Sequence, residues 1–554
     1  MRGRQVFMES LKAHGVDFIF GNPGTTESPL LDSLATYPSI RYVTVLQESV
    51  ALAAASYYAQ ASGKTGVVSV HVAPGLGNAL GMLYCAMRAN SPLVVTAGQQ
   101  DTRLRLADPV LGHDLVAMAA PLTKWSVQVE RADEMGPILA RAFKVANDAP
   151  KGPVFVGLPI DVMEQETAVA ATTAGALHRQ PCATDTALQD IAGLLVAARV
   201  PVIVAGDDVA RSGATQALAA LADLIGAAVW GESLHLHTAF PTASPQFRGG
   251  LPLDAQGIRK SLDDADLVLL VGGPFFEDVW YAPGGPFPAG AKIVQIEASP
   301  ALLAYNHALT AGAVGEINGT LVALVQSIVA RREPGAVAAS KARNAALSAL
   351  KAREVTAQKE RAEKSWSRTP ASMPRVMAEV RDAMPKGCTV VEESITASID
   401  FARTFDFSEP GTYFGARGGG IGQGLSGAIG VSTAKPGQPV LCLSGDGSAM
   451  YSIQALWTAA HLALPIVFVI LANREYRVLK HNIDVYRQRF GIKSQEPYAH
   501  MDLARPSIGF VELAAGLGVA ATRVVNPDDI AVAVRAAFAT GRPHLVEIAI
   551  EAKR

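Results

Sequence analysis

Short apolar runs rich in Val, Ile and Leu recur along the chain, and most stop at a turn marked by Gly, Pro, Asn or Asp. Longer stretches with helical spacing separate them. Continuous apolar strands alternating with helices predict buried parallel sheets, and so an α/β fold of doubly wound parallel-sheet domains. In the first 165 or so residues this pattern predicts a helix over 6–14 and strands over 17–20, 42–46 and 66–72, with two more in LVVTAG and PVFVGLP. An Ala-rich helix is expected over 49–62, its small side chains allowing close packing, and a Gly-rich turn, PGLGNALG, opens the next one. An Ala/Thr-rich stretch near 166–189 predicts a linker. A second α/β unit comes next, with strands in PVIVAG, AAVWG, LVLLVGG and AKIVQIEA. Residues 331–370, rich in Ala, Lys, Arg and Glu, predict a solvated connecting helix. The last unit carries strands in CTVVEE, PVLCLSG, PIVFVILA and PHLVEIAI, and its layout repeats that of the first. Expected domains are 1–175, 190–330 and 371–554.

Composition narrows the function classes. The 554 residues are 49% hydrophobic and 18% charged, enough for several large cores, and the formal net charge is −2. Without a basic tract, nucleic acid is not an expected partner. No apolar run reaches the roughly 18 residues of a membrane span. Four scattered cysteines without a C-x-x-C, and an amphipathic start without a signal core, point to a reducing cytoplasm.

The stretch over 440–476 carries the clearest chemistry. A strand, VLCLSG, stops at Gly445-Asp446-Gly447; a helix is expected over 452–461; a second strand, PIVFVILA, ends at Asn473. In a parallel sheet Asp446 and Asn473 would meet at the carboxyl edge, where open α/β sheets bind ligands. Carboxylate and amide oxygens are hard ligands that suit Mg²⁺ beside a phosphate. Gly445 and Gly447 allow close backbone approach to that phosphate. In the first unit Thr25, Glu48 and His71 gather at another such edge. The middle unit lacks a G-x-G-x-x-G after any strand, and Pro274 removes a donor from its nearest substitute, so a spacing role is expected there rather than a bound dinucleotide.

GDG, then helix, strand and Asn473, resembles the diphosphate-binding motif of thiamine-diphosphate enzymes. With GNPGTTESP, LQESVALAAASYYAQASGK, HVAPGLGNALG, SPLVVTAGQQ, PLTKWS and GPVFVGLP in order, nearly the whole chain is similar to benzoylformate decarboxylase and its relatives. The resemblance implies thiamine diphosphate with Mg²⁺, held by Asp446, Asn473 and the backbone carbonyl of Glu475. It implies diphosphate contacts from Gly445, Gly447 and Ser448, with Tyr476 also in the cofactor set. Ile421 would wedge the cofactor into a V, and the Gly419 carbonyl would accept from its exocyclic amine. Glu48 would bond the pyrimidine nitrogen, His71 would lie beside the reacting carbon, and Thr25 would bind the substrate carboxylate. The implied assembly is a homo-oligomer, a dimer or tetramer, with active sites shared between subunits. The implied reaction is non-oxidative decarboxylation of a 2-oxo acid to an aldehyde and carbon dioxide, with carboligation alongside.

Some positions depart from that pattern. Ala472 stands where the motif has a first Asn. Val279 aligns with a second active-site histidine and Asn482 with an aromatic residue that packs on the substrate ring. His113 or His481 would supply the missing imidazole, or lie on the surface. Five cations between Arg474 and Arg489 are either a solvated face or an attractor for an anionic substrate. The alternatives are an acetolactate-synthase-like carboligase, a 2-hydroxyacyl-CoA lyase, or a silent regulatory protein on the same fold. Glu48, Asp446 and Asn473 together weigh against the last.

Overall fold

A computed structural model describes residues 1–173, 175 and 181–552. It contains three six-stranded sheets whose described pairings are parallel. The first uses β1 (Phe18–Gly21), β2 (Arg41–Thr44), β3 (Gly66–Val70), β4 (Leu93–Gln99), β5 (Ser126–Gln128) and β6 (Pro153–Pro159), in the order β2-β1-β3-β4-β6-β5. The second uses β7 (Pro201–Ala205), β8 (Ala228–Gly231), β9 (Phe247–Gly250), β10 (Leu267–Val271), β11 (Lys292–Glu297) and β12 (Ala311–Val314). The third uses β13 (Thr389–Glu393), β14 (Tyr413–Phe414), β15 (Val440–Gly445), β16 (Ile466–Ala472), β17 (Ala520–Val524) and β18 (His544–Ala549).

The third sheet runs β14-β13-β15-β16-β18-β17, the same relative order as the first, as the repeated layout predicts. The second runs β12-β11-β10-β7-β8-β9, the doubly wound order of dinucleotide-binding sheets. The central strands are buried on both faces, from Leu93 through Ala97 in β4 to Ile466 through Ile470 in β16, which is why they read as unbroken apolar runs. The edge strands β5, β9, β12, β14 and β17 are absent from the sequence-based expectations. Most are short, and β5 and β17 are largely half-exposed, so they lack the apolar signature.

The chain forms two compact units. One contains the first sheet and the strands of the third other than β14. There the Glu48–Ser62 helix packs on the Gln423–Ala434 helix backbone to backbone: a Cβ on Gly427 would meet the Tyr57 ring at 2.7 Å, and one on Gly430 would run into the Ala54 carbonyl. The Ala-rich pattern is thus used as expected. The other unit holds the second sheet and the connecting helix, observed over Pro334–Ser365, where only Ser340 and Ser365 are buried.

Several boundaries move. The expected linker gives way to a helix at Asp185–Ala197, and residues 174 and 176–180 within it lie outside the described residues. The helix expected over 452–461 begins at Ala455. The PGLGNALG stretch is not a turn but part of the Val72–Arg88 helix. The helix forms despite glycine's poor helix propensity, and Gly75 leaves room in it for Glu48, since a Cβ there would lie 3.0 Å from a Glu48 carboxylate oxygen.

Candidate active site

β15 and β16 pair in register up to Gly445 opposite Leu471, so the next residues of each strand emerge side by side. Asp446 is 5% exposed, and its two oxygens accept from the backbone N–H groups of Gly447 at 2.8 Å and Arg474 at 2.6 Å. The Asn473 side-chain oxygen accepts from the Glu475 N–H at 2.9 Å. Burial raises the Asp446 carboxyl above its ordinary range, and the N–H groups of Arg474 and Gly447 oppose that shift. Arg474 has φ +60, which turns the chain back so that its N–H reaches Asp446. Gly445, Gly447 and Ser448 lead from β15 into a one-turn helix over Asp446–Ala449. A Cβ on Gly447 would meet the Tyr476 ring at 2.5 Å, so Tyr476 lies directly against the GDG turn. The Glu475 carboxylate pairs with Lys480.

The first sheet presents a second cluster at its carboxyl edge. Gln47 caps the Glu48–Ser62 helix, its side-chain oxygen accepting from Ser49 N–H at 2.7 Å. Glu48 is therefore the first helical residue, 8% exposed, and accepts from the Asn78 amide at 3.0 Å. His71 is the N-cap of the next helix rather than the end of β3. Val72 behind it has φ +47, a strained conformation for a β-branched residue.

The His71 ring is held by a residue that the sequence patterns did not single out. Glu27, 4% exposed, lies 2.8 Å from His71 Nδ1. Its other oxygen accepts from the Thr26 hydroxyl at 2.9 Å and the Gly98 N–H at 2.8 Å. With the carboxylate as acceptor, Nδ1 carries the proton and Nε2 is the nitrogen left uncommitted by this pair. Two glycines make room: a Cβ on Gly24 would run into the imidazole, and one on Gly98 would run into Glu27 and Thr26. Glu27 was legible only as the Glu of GNPGTTE, three residues past the turn glycine.

The remaining expected residues separate. Thr25 is exposed beside this cluster, its carbonyl accepting from Ser28. Gly419 and Ile421 sit in a loop before the Gln423–Ala434 helix, with Gly419 at φ +75 and Ile421 half-buried. His113 and His481 are both exposed. Asn482 is half-buried on the Arg477–Arg489 helix, which buries none of its residues. Val279, in the other unit, is 58% exposed.

Three family descriptions match in order: the N-terminal TPP binding domain of thiamine pyrophosphate enzymes over residues 1–118, their central domain over 188–324, and their C-terminal TPP binding domain over 396–548. The benzoylformate decarboxylase of Pseudomonas aeruginosa is 32% identical over 98% of this chain and 97% of its own. The chain belongs to the thiamine pyrophosphate enzyme family. Other members similar to it include the acetolactate synthase isozyme 2 large subunit of Escherichia coli, 25% identical across 100% of this chain and 96% of that protein. A thiamine diphosphate-dependent 4-hydroxybenzoylformate decarboxylase of Rhodococcus jostii shares the whole fold, with a TM-score of 0.86, 29% identity and full coverage of both chains. In this thiamine pyrophosphate enzyme the GDG turn fits a metal-bound diphosphate: its oxygens are hard and held in place by backbone donors, and Gly447 keeps the turn clear of Tyr476. Among the described residues, no helix is long and apolar enough to cross a membrane.

Proposed function

We propose that this thiamine pyrophosphate enzyme decarboxylates a 2-oxo acid without oxidation, releasing an aldehyde and carbon dioxide. The observation that carries this reading is the Glu27–His71 pair at the carboxyl edge of the first sheet, the edge that also presents Glu48. Thiamine diphosphate, when bound, supplies the nucleophilic carbon and the electron sink for loss of carbon dioxide.

The chain's own residues then have distinct tasks. Asp446, Asn473 and the Glu475 carbonyl would hold Mg²⁺, with Gly445, Gly447, Ser448 and Tyr476 around the diphosphate. Glu48, 8% exposed at that edge, would hydrogen-bond the pyrimidine nitrogen. Ile421 and the Gly419 carbonyl would set the cofactor's bend. His71, with Nδ1 committed to Glu27, would give or take a proton at Nε2. Thr25 would bind the substrate carboxylate. Residues 1–175, 190–330 and 371–554 would serve as pyrimidine-binding, central and diphosphate-binding domains in a cytoplasmic homo-oligomer whose sites are completed by a second copy.

Asn482 favours a substrate with a polar group over plain benzoylformate, because the half-buried amide needs a hydrogen-bond partner. An acetolactate-synthase-type carboligase is the second reading, supported by the Escherichia coli relative. The deciding experiment incubates the protein with thiamine diphosphate, Mg²⁺ and, in turn, benzoylformate, 4-hydroxybenzoylformate and pyruvate. Carbon dioxide with free aldehyde from an aryl oxo acid supports decarboxylation. Acetolactate from pyruvate, with aryl oxo acids inert, supports the carboligase instead.

A further inference from the structure

Glu393, the last residue of β13, is 2% exposed and plays no part in the chemistry assigned to the site. One of its oxygens accepts from the N–H groups of Gly422 at 2.8 Å and Gln423 at 3.0 Å; the other accepts from Gly424 N–H at 2.9 Å. These are the first donors of the Gln423–Ala434 helix, whose own N-cap, Gly422, has φ +98 and no side chain to cap with. The cap comes instead from a strand 29 residues earlier. Gly424 permits that approach, since a Cβ there would lie 3.0 Å from the Glu393 Cβ.

Gln423 closes the same loop from the other side. Its side-chain amide donates to the carbonyls of Arg417 at 2.9 Å and Gly420 at 2.6 Å. Ile421 is thereby pinned on both flanks, the Gly420 carbonyl by Gln423 and the Gly422 N–H by Glu393. Left alone, a loop with Gly418 at φ +81 and Gly419 at φ +75 would hold no single conformation.

We propose that Glu393 and Gln423 are positioning residues that clamp the 417–422 loop and so set the place of Ile421 and the Gly419 carbonyl against the cofactor. The proposal rests on the roles given to Ile421 and Gly419 under the proposed function. Burial pushes the Glu393 carboxyl up to about 7, against the pull of the N–H groups of Gly424, Gln423 and Gly422. Its charge is met by backbone dipoles at a helix start. A plain helix cap would stabilise the fold without bearing on the cofactor's activation, and the two roles separate experimentally.

The test compares the parent with Glu393→Gln and Gln423→Leu, each as holoenzyme with thiamine diphosphate and Mg²⁺. Four quantities are read: amide hydrogen exchange of the peptide over 417–424, cofactor affinity by calorimetry, proton–deuterium exchange at the reactive thiazolium carbon, and melting temperature. Losing one net hydrogen bond from the loop should speed its amide exchange about tenfold. Thiazolium exchange should slow about tenfold while cofactor affinity stays within about threefold, because the diphosphate anchor at Asp446 is untouched. Unchanged loop exchange in both variants would overturn the clamp. So would affinity, melting temperature and thiazolium exchange falling together in both, the signature of a structural cap. If the parent itself binds no thiamine diphosphate, the reading of the site fails; loop exchange in the cofactor-free proteins then still decides whether Glu393 and Gln423 hold the loop.

Discussion

Glu27→Gln is the most informative substitution in the first-sheet cluster. Glu27 is nearly isosteric with Gln, so the buried volume survives, and the Gln carbonyl oxygen can keep the bonds from Gly98 N–H and Thr26. The other end changes sign. An amide NH₂ then faces His71 Nδ1 where a carboxylate oxygen stood at 2.8 Å. The imidazole must turn its protonated nitrogen elsewhere, and Nε2 is no longer the free lone pair. A hydrogen bond to a charged group is worth about 1.5–3 kcal/mol. If the bond strengthens His71 in the transition state, its loss lowers kcat by about 10- to 150-fold. The assay is steady-state turnover of the best oxo acid found in the substrate panel, with melting temperature and cofactor affinity measured on the same preparation. The expected pattern is a fall in kcat with cofactor affinity within about twofold. Parent-level kcat in Glu27→Gln would refute the argument that Glu27 sets the working tautomer of His71.

Other contacts carry expectations of their own. Asp446→Ala should abolish Mg²⁺-dependent binding of thiamine diphosphate in calorimetry while circular dichroism stays that of the parent; cofactor binding that survives would remove Asp446 from the metal site. Gly98→Ala should dislodge Glu27 and Thr26, which its methyl would strike, and reduce turnover at least as far as Glu27→Gln; a fully active variant would show that the cluster yields freely. Glu297, 1% exposed in the second sheet, is pushed by burial to about 7 from 4.5. A carboxyl raised in the native state stabilises fully below about pH 4.5 and loses that contribution as pH rises through about 7, a span worth ~3 kcal/mol. Denaturation at pH 5 and pH 8 should therefore show Glu297→Gln losing less stability than the parent, with the Glu393 contribution common to both; equal losses would mean that Glu297 titrates normally.

Much of the site was legible in the sequence because it depends on the strand period and on parallel direction. Asp446 and Asn473 each come just after a continuous apolar strand, and two parallel neighbours deliver their next residues to one edge. Thr25, Glu48 and His71 were placed by the same logic, and the matching orders of the first and third sheets repeat it. The Gly-rich helix over Val72–Arg88 shows the limit: local propensity argues for a turn, and that Gly75 instead makes room for the Glu48 carboxylate is visible only in the folded chain.

The chain sequence by itself determined the fold class and the central strands of the three sheets, since these depend on local pattern and short spacing. The tertiary structure alone decided that Glu27 grips His71 across 44 residues, and that Glu393 caps a helix 29 or more residues further on. Both are single buried carboxylates in ordinary sequence contexts. Their partners are a ring nitrogen and backbone N–H groups, which leave no signature in side-chain order, and the pairing exists only once packing has excluded water from around them.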